Sequence, residues 1–214
     1  TNFAMSGIDK VHFGLEAAVS IPIYHTLALN GAVSWGQYTY DSNPYYLQTQ
    51  DNSGDIVSDG YVYWKDFRVE STPQTAVNVG LSWRSNNNIY LSADFNYYNN
   101  MYLSMSPIYR TDAVITGGMA PGDIEHLRRQ EKFDSAYTLN ASIGKNWYIH
   151  RKYTLGFSLD VKNILNNQDI KTGGYEQTRL SKNTETTVTT YQAFDSKYFY
   201  MFGTTYYLNV YFRF

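Results

Sequence analysis

Seven separate segments of this chain alternate apolar and polar residues with a period of two, and nothing else in the sequence limits the fold so tightly. Successive side chains of a β-strand point to opposite faces, so each segment reads as a strand with one oily and one wet face. The last, Tyr206 to Phe214, sets Tyr206, Leu208, Val210, Phe212 and Phe214 against Tyr207, Asn209, Tyr211 and Arg213. The others are Lys10–Ile21, Thr26–Tyr40, Thr75–Arg84, Ile89–Tyr98, Ala136–Gly144 and Thr154–Lys162. At roughly 9 to 15 residues they are long enough to cross a bilayer when tilted, whereas strands of soluble sandwiches are usually shorter. Glu16, Arg84, Asp94, Asp160, Lys162 and Arg213 fall on the polar faces. Ionised groups at mid-strand are costly in a dry interior, so that face is expected to meet water.

The connections sharpen this expectation. Pro22–His25, Ser85–Asn88 and Lys145–Tyr153 are short, whereas Asp41–Gln74, Ser104–Ser135 and Asn166–Lys197 are long, and the two kinds alternate strictly. Outer-membrane barrels have this pattern, with short periplasmic turns and long external loops. The predicted fold is all-β, an antiparallel transmembrane β-barrel segment of about seven strands. The short turns put Phe214 at the periplasmic rim and Thr1 outside. Bacterial barrels have an even strand number, so the chain is expected to be part of a larger barrel unless Tyr61–Val69, which alternates weakly, adds an eighth strand. Asp123–Lys132 reads as a short external helix with Asp123 as its N-cap.

Aromatic residues make up 17% of the chain, including 22 tyrosines. Such an excess suits surfaces apolar at one end and wet at the other. Trp35, Tyr38, Tyr40, Trp83, Tyr97, Trp147 and Tyr148, near strand ends, are expected to form interfacial girdles. A net charge of −2 argues against nucleic-acid binding, and the absence of cysteine excludes disulfides and thiolate metal sites. No run of about 18 apolar residues marks a transmembrane helix, which says nothing against a barrel. Thr1 opens the sequence without a signal-peptide pattern, as expected of a processed chain or a fragment.

Three stretches together resemble the C-terminal barrel region of TonB-dependent outer-membrane receptors. They are KYFYMFGTTYYLNVYFRF at Lys197–Phe214, LDVKNILNNQ at Leu159–Gln168 with the DIKTGGYEQTR that follows, and STPQTAVNVGLSW at Ser71–Trp83. The closest likeness is to the large receptors of Bacteroides-type bacteria, and it covers most of Tyr61–Phe214. The resemblance implies a barrel of about 22 strands with a plug in its lumen. It implies an outer-membrane location in a Gram-negative bacterium and import of a bulky nutrient (glycan, peptide, siderophore or corrinoid) powered by the TonB complex. Residues 1–214 then read as the C-terminal portion of the barrel, with plug domain and TonB box absent. The implied partners are outer-membrane lipid, the TonB complex through the absent N-terminal part, the barrel assembly machinery, which reads a final aromatic, and a capping surface lipoprotein. Phe212 and Phe214 are the candidate assembly signal.

Loop aromatics are the candidate ligand contacts: Tyr45, Tyr46, Tyr61, Tyr63, Trp64, Tyr109, Tyr175 and Tyr191. Their faces stack on apolar faces of a ligand while neighbouring Asn, Gln and Asp supply hydrogen bonds; the plainer alternative is packing among the loops. The run Asp51–Asp55 lacks the downstream glutamate of a calcium loop and reads as a turn. His12, His25, His126 and His150 have no metal-ligand spacing. Asp123 with His126 offers only a weak suggestion of a protease dyad. Gly173–Gly174 reads as loop flexibility. No nucleophile elbow, phosphate loop or dinucleotide fingerprint is present, so no enzyme and no cofactor are expected. The alternative functions are a small self-contained outer-membrane structural protein or adhesin, a barrel enzyme, and a soluble tyrosine-rich sandwich.

Overall fold

The computed structural model describes residues 1–70, 72–117, 121–150, 152–183 and 190–214; the side chains of 121–123, 126, 180–183 and 190–192 are not among those described. In chain order the elements are β1 (Asn2–Ser6), β2 (Lys10–Tyr24), β3 (Leu27–Tyr40), β4 (Tyr45–Thr49), β5 (Ile56–Tyr61), β6 (Thr75–Arg84), β7 (Ile89–Asn99), α1 (Asp112–Thr116), α2 (Pro121–Arg128), β8 (Ala136–Ile149), β9 (Tyr153–Lys162), β10 (Lys171–Tyr175), β11 (Leu180–Asn183), β12 (Thr190–Ala193), β13 (Lys197–Tyr200) and β14 (Thr205–Arg213). A short 3-10 turn at Ile108–Arg110 precedes α1. The chain is all-β, and its sheets are antiparallel. The seven segments with period-two patterning are the seven strands of one sheet, in the order β14–β9–β8–β7–β6–β3–β2.

Register carries the alternation from strand to strand. Val19 faces Gly31, Gly31 faces Val79, Val79 faces Phe95 and Phe95 faces Leu139. Farther along, Ile143 faces Leu159 and Leu159 faces Leu208. One face of the whole sheet is therefore apolar, because a one-residue slip in any pair would invert it. That face is left uncovered: Phe13 is 60% exposed and Leu15 68%. Polar side chains of the opposite face bond to one another across strands. Ser20 donates to Asn30 at 2.8 Å, Asn30 to Ser82 at 3.2 Å and Asn78 to Asn96 at 2.8 Å, and Ser92 meets Ser142 at 2.8 Å. Glycines on this face receive neighbouring side chains: the Tyr38 ring lies over Gly36, the Tyr90 ring over Gly144 and the Tyr211 ring over Gly156.

Aromatic residues on the apolar face gather at two levels. Phe13 meets Trp35 edge-on at 6.2 Å and Phe95 stacks on Tyr137 at 6.0 Å near the long-connection end. Trp147 packs on Phe157 at 5.9 Å and Tyr153 stacks on Phe212 at 5.7 Å near the short-turn end. Tyr137 and Trp147 are ten residues apart on β8, about 33 Å along a strand. Lys145, the charged residue that register puts among them, lies 5.3 Å from the Trp147 ring, as a lysine does when its stem lies on apolar surface and its head reaches out. Tyr38, Tyr40 and Tyr148 do not belong to these levels. Alternation puts them on the polar face, a distinction that position near a strand end misses.

The structure corrects four further expectations. β2 continues through Pro22 to Tyr24, so its turn is the two residues His25 and Thr26. Proline is tolerated there because it sits at the end of β2, beside a register shift between Pro22 and Tyr24. β8 runs on through Lys145–Ile149, leaving only 150–152 between strands. Tyr61–Val69 is no eighth strand of the sheet: only Tyr61 belongs to β5, and 66–69 returns along the top of β3, where Val69 N donates to Tyr38 O at 2.9 Å. Helix α2 begins at Pro121, so Asp123 lies inside its first turn and is not the N-cap.

Gly173–Gly174 is not a flexible link either. Both belong to β10, which pairs with β13. Gly174 has φ +154, and a Cβ there would strike the Lys197 carbonyl oxygen and Leu103. That backbone region is essentially restricted to glycine and costs other residues about 1–3 kcal/mol. Gly174→Ala should therefore raise amide exchange across β10 and β13 while leaving β8 and β9 protected. Unchanged exchange in the hairpin would show that the close approach does not constrain it.

Candidate ligand-binding site

The sheet topology brings the long connections out at one end, together with β1. There they build a cap with its own small cores. β1, β4 and β5 form a three-stranded sheet, β10 pairs with β13, and β11 with β12. Tyr40, Tyr46, Val62, Trp64 and Met105 form one core; Tyr109, Val114 and Leu127 a second; Met101, Leu103 and Phe133 a third.

A buried ion pair joins the cap's segments. Arg110, 1% exposed, binds Glu176, 14% exposed, through its two terminal guanidinium nitrogens: Nη1 to Oε2 at 2.5 Å and Nη2 to Oε1 at 2.9 Å. Glu176 Oε2 also accepts from Ser106 N at 2.8 Å, and Arg110 Nη1 donates to Ser106 O at 3.0 Å. The Phe67 ring lies 5.3 Å from the guanidinium carbon. Two parallel charge-assisted bonds fix direction as well as distance, so the loop carrying Glu176 is held in register with the segment carrying Arg110.

Two cavities flank this pair. Beside Phe67 and Arg110 lies a space of about 550 Å³, lined also by Asn43, Tyr63, Lys65, Asp66, Ile115, Ile124, Leu127 and Arg128. On the Glu176 side lies one of about 510 Å³, lined by Leu103, Tyr109, Leu127, Gln130, Glu131, Phe194 and Tyr198 among others. The wall of the first is a tight turn. Asn43 Oδ1 accepts from Trp64 N at 3.0 Å and from Lys65 N at 2.9 Å, and Asp66, at φ +72, donates its N–H to Tyr40 O at 2.9 Å. A third hollow, about 480 Å³, lies on the sheet's polar face among Ser92, Asp94, Asn140, Ser142, Asp160, Lys162 and Tyr207.

The candidate tyrosines divide. Tyr46, Trp64 and Tyr109 are buried in the cap cores, whereas Tyr45, Tyr61, Tyr63 and Tyr175 are exposed. The side chain of Tyr191 lies outside the described residues, as do those of Asp123 and His126. Three of the exposed four form a ledge. Tyr45 and Tyr61 are register partners with rings 5.6 Å apart. Tyr45 donates its hydroxyl to Asp59, and Tyr63 donates to Asp112 at 2.5 Å. The carboxylate bonds hold both phenols above the usual tyrosine value. Asp112 also accepts from Tyr61 N at 2.7 Å, and Gly60 leaves room for its carboxylate. Only Tyr63 of the ledge lines the larger cavity. Lys65, Phe67 and Arg128 were not singled out by sequence, although the basic residues of a loop and of a predicted helix are visible there. Phe212 and Phe214 lie at the short-turn end with rings 6.4 Å apart. No group of metal ligands occurs among the described residues.

No protein-family model matches the chain, and no curated protein matches its sequence.

Two predictions follow from the cap. Removing one partner of a buried ion pair costs about 3–5 kcal/mol, while an apolar replacement of both is often neutral. Glu176→Gln should accordingly loosen the cap, seen as faster amide exchange around Ser106 and Glu176, and Arg110→Met/Glu176→Leu should recover most of the loss. A second clamp is alkaline-sensitive. Lys171 Nζ lies 3.0 Å from Glu131 and 3.8 Å from the Tyr198 ring centre, and Tyr198 donates to Glu131 at 2.7 Å. Burial opposes the Lys171 charge, but Glu131 outweighs it and holds the ammonium above its usual value. Burial, then Glu131, raises the Tyr198 phenol. Raised values mean stability that is full below the unfolded values of about 10 and lost as pH climbs past them. Near-UV circular dichroism should show the cap loosening on that alkaline side, and Lys171→Met should blunt the transition.

Proposed function

We propose that the chain is the C-terminal part of the barrel wall of a TonB-dependent outer-membrane transporter, its cap taking part in the capture of a bulky nutrient. One observation carries this reading: a seven-stranded antiparallel sheet whose uncovered face is apolar in every strand, edged by aromatic side chains at two levels. In water such a face is a liability of unusual size, since the largest apolar patch on a soluble monomer is of the order of 300–600 Å². In lipid it is the face a barrel presents, with the hydrogen-bonded polar face turned to a wet lumen.

The sheet's edges agree. β2 pairs with β3 alone and β14 with β9 alone among the described residues. Open strand edges are not tolerated in the hydrocarbon layer. Six antiparallel steps separate β2 from β14, so both run the same way. Antiparallel closure then calls for an odd number of further strands, as a barrel of about 22 would supply. A small self-contained barrel would instead have to join β2 and β14 in parallel. In the proposed mechanism, ligand is held at the cap, TonB displaces the plug, and the polar face with Asp94, Asp160 and Lys162 forms part of the passage wall. Phe214 serves the assembly machinery, and the location is the outer membrane.

A charge placed on the apolar face separates lipid from water. Val79→Arg should cost about 2–4 kcal/mol in a bilayer, and cells should accumulate little folded protein; a half-exposed residue in water would change stability by only about 0.5 kcal/mol. Single cysteines at Val79, Leu81 and Leu159 should resist aqueous maleimide in outer-membrane fractions, while cysteines at Ser82 and Tyr61 react. Uniform reactivity would sink the membrane assignment. Ligand uptake that persists in cells lacking TonB would sink the transporter assignment.

A further inference from the structure

The cavity beside Tyr63 differs from an ordinary loop cleft in its division of charge. Its floor is apolar, made by Phe67, Ile115, Ile124 and the buried Leu127. Its rim carries Lys65 and Arg128, both exposed and neither in an ion pair among the described residues. Arg110 also lines it, but Glu176 already balances that charge through two bonds. Among the described residues the opposing carboxylate on the lining is Asp66. Among the described residues, two cations outside any ion pair and one carboxylate thus stand over a hydrocarbon floor.

We propose that this cavity binds the anionic part of the captured nutrient, an aryl or acyl carboxylate with an apolar body. This names a ligand chemistry for the capture role proposed above and rests on the cap being the ligand-facing end. The volume, about 550 Å³, lies within the range of small-molecule sites, which combine apolar walls with a few placed polar groups. An anionic head placed at the rim gains charge-assisted hydrogen bonds from Lys65 and Arg128, while its body covers Phe67, Ile115 and Ile124. A neutral body of the same shape forgoes the rim, and a cation is repelled by it. Asp66 works against the anion from a left-handed backbone that its N–H on Tyr40 O holds in place. Affinity is therefore set by the balance of three side chains whose removal leaves the cap cores untouched.

The test is equilibrium binding to the protein in lipid nanodiscs, with empty nanodiscs as baseline. Three probes share one ring system: naphthalene-2-carboxylate, naphthalene-2-methanol and 2-naphthylmethylamine. The carboxylate should bind saturably, and the alcohol and amine roughly tenfold or more weakly. Lys65→Gln and Arg128→Gln should each weaken carboxylate binding several-fold, whereas Asp66→Asn should tighten it. Asparagine accepts the left-handed backbone, so that variant changes charge without strain. Equal binding of all three probes, or carboxylate binding unmoved in Lys65→Gln/Arg128→Gln, would overturn the proposal. Uptake is no part of this readout: a protein that inserts in lipid yet ignores the carboxylate refutes the cavity alone, and one that binds it yet works without TonB refutes the transporter alone.

Discussion

Backbone pairing in a single register is the constraint on which the rest of the structure depends. Each of the seven strands alternates with period two, so the faces they form agree only if every neighbouring pair is aligned without a one-residue slip. The ladder from Val19 through Gly31, Val79 and Phe95 to Leu139 shows this agreement carried across five strands. The polar side chains then fall opposite one another, which is why Asn30 reaches both Ser20 and Ser82. Register thus creates the apolar face and satisfies the polar face in one step. Glycines 36, 144 and 156 help by giving tyrosine rings of adjacent positions somewhere to lie.

The seven strands were legible because period two is a property of the residues themselves and tight turns limit where it can break. Where legibility failed, a local signal opposed the pattern. Pro22 suggested a turn, since proline gives up a donor, but beside the register irregularity at the end of β2 a missing donor does little harm. Lys145 interrupted an apolar face and ended the apparent strand too early, although Trp147 and Ile149 keep the alternation beyond it. A lysine at that level reaches out past Trp147, so hydropathy misjudges it. In the long connections the small strands β4, β5, β10 and β13 are only four to six residues, too short for alternation to stand out from chance.

Tyr45 and Tyr46 show why residue type alone did not reveal the site. They are neighbours of one kind in one strand, yet Tyr46 is 1% exposed and Tyr45 is on the surface. A strand sends consecutive side chains to opposite sides, so one fills a cap core and the other joins the tyrosine ledge. The same logic separates Trp64 from Tyr63. The cavity beside them is assembled from the turn at 63–67, α1 and α2, brought together partly by an Arg110–Glu176 contact spanning 66 positions. Partners that distant carry no local periodicity, and neither Lys65 nor Arg128 looks unusual in its own segment.

Sheet and cap are therefore held by different physics. The sheet depends on repeated backbone pairing with interchangeable apolar side chains, so substitutions that keep the pattern leave it intact. The cap depends on a few specific contacts: one bidentate ion pair, the Lys171–Glu131–Tyr198 clamp and three small cores. Such a division lets a scaffold keep its geometry while the loops it carries change what they recognise. Under the proposed capture role it also locates specificity. If ligand preference is set by Lys65, Asp66 and Arg128, it can change by single charges at the rim, with the ion pair behind them still holding the cavity open.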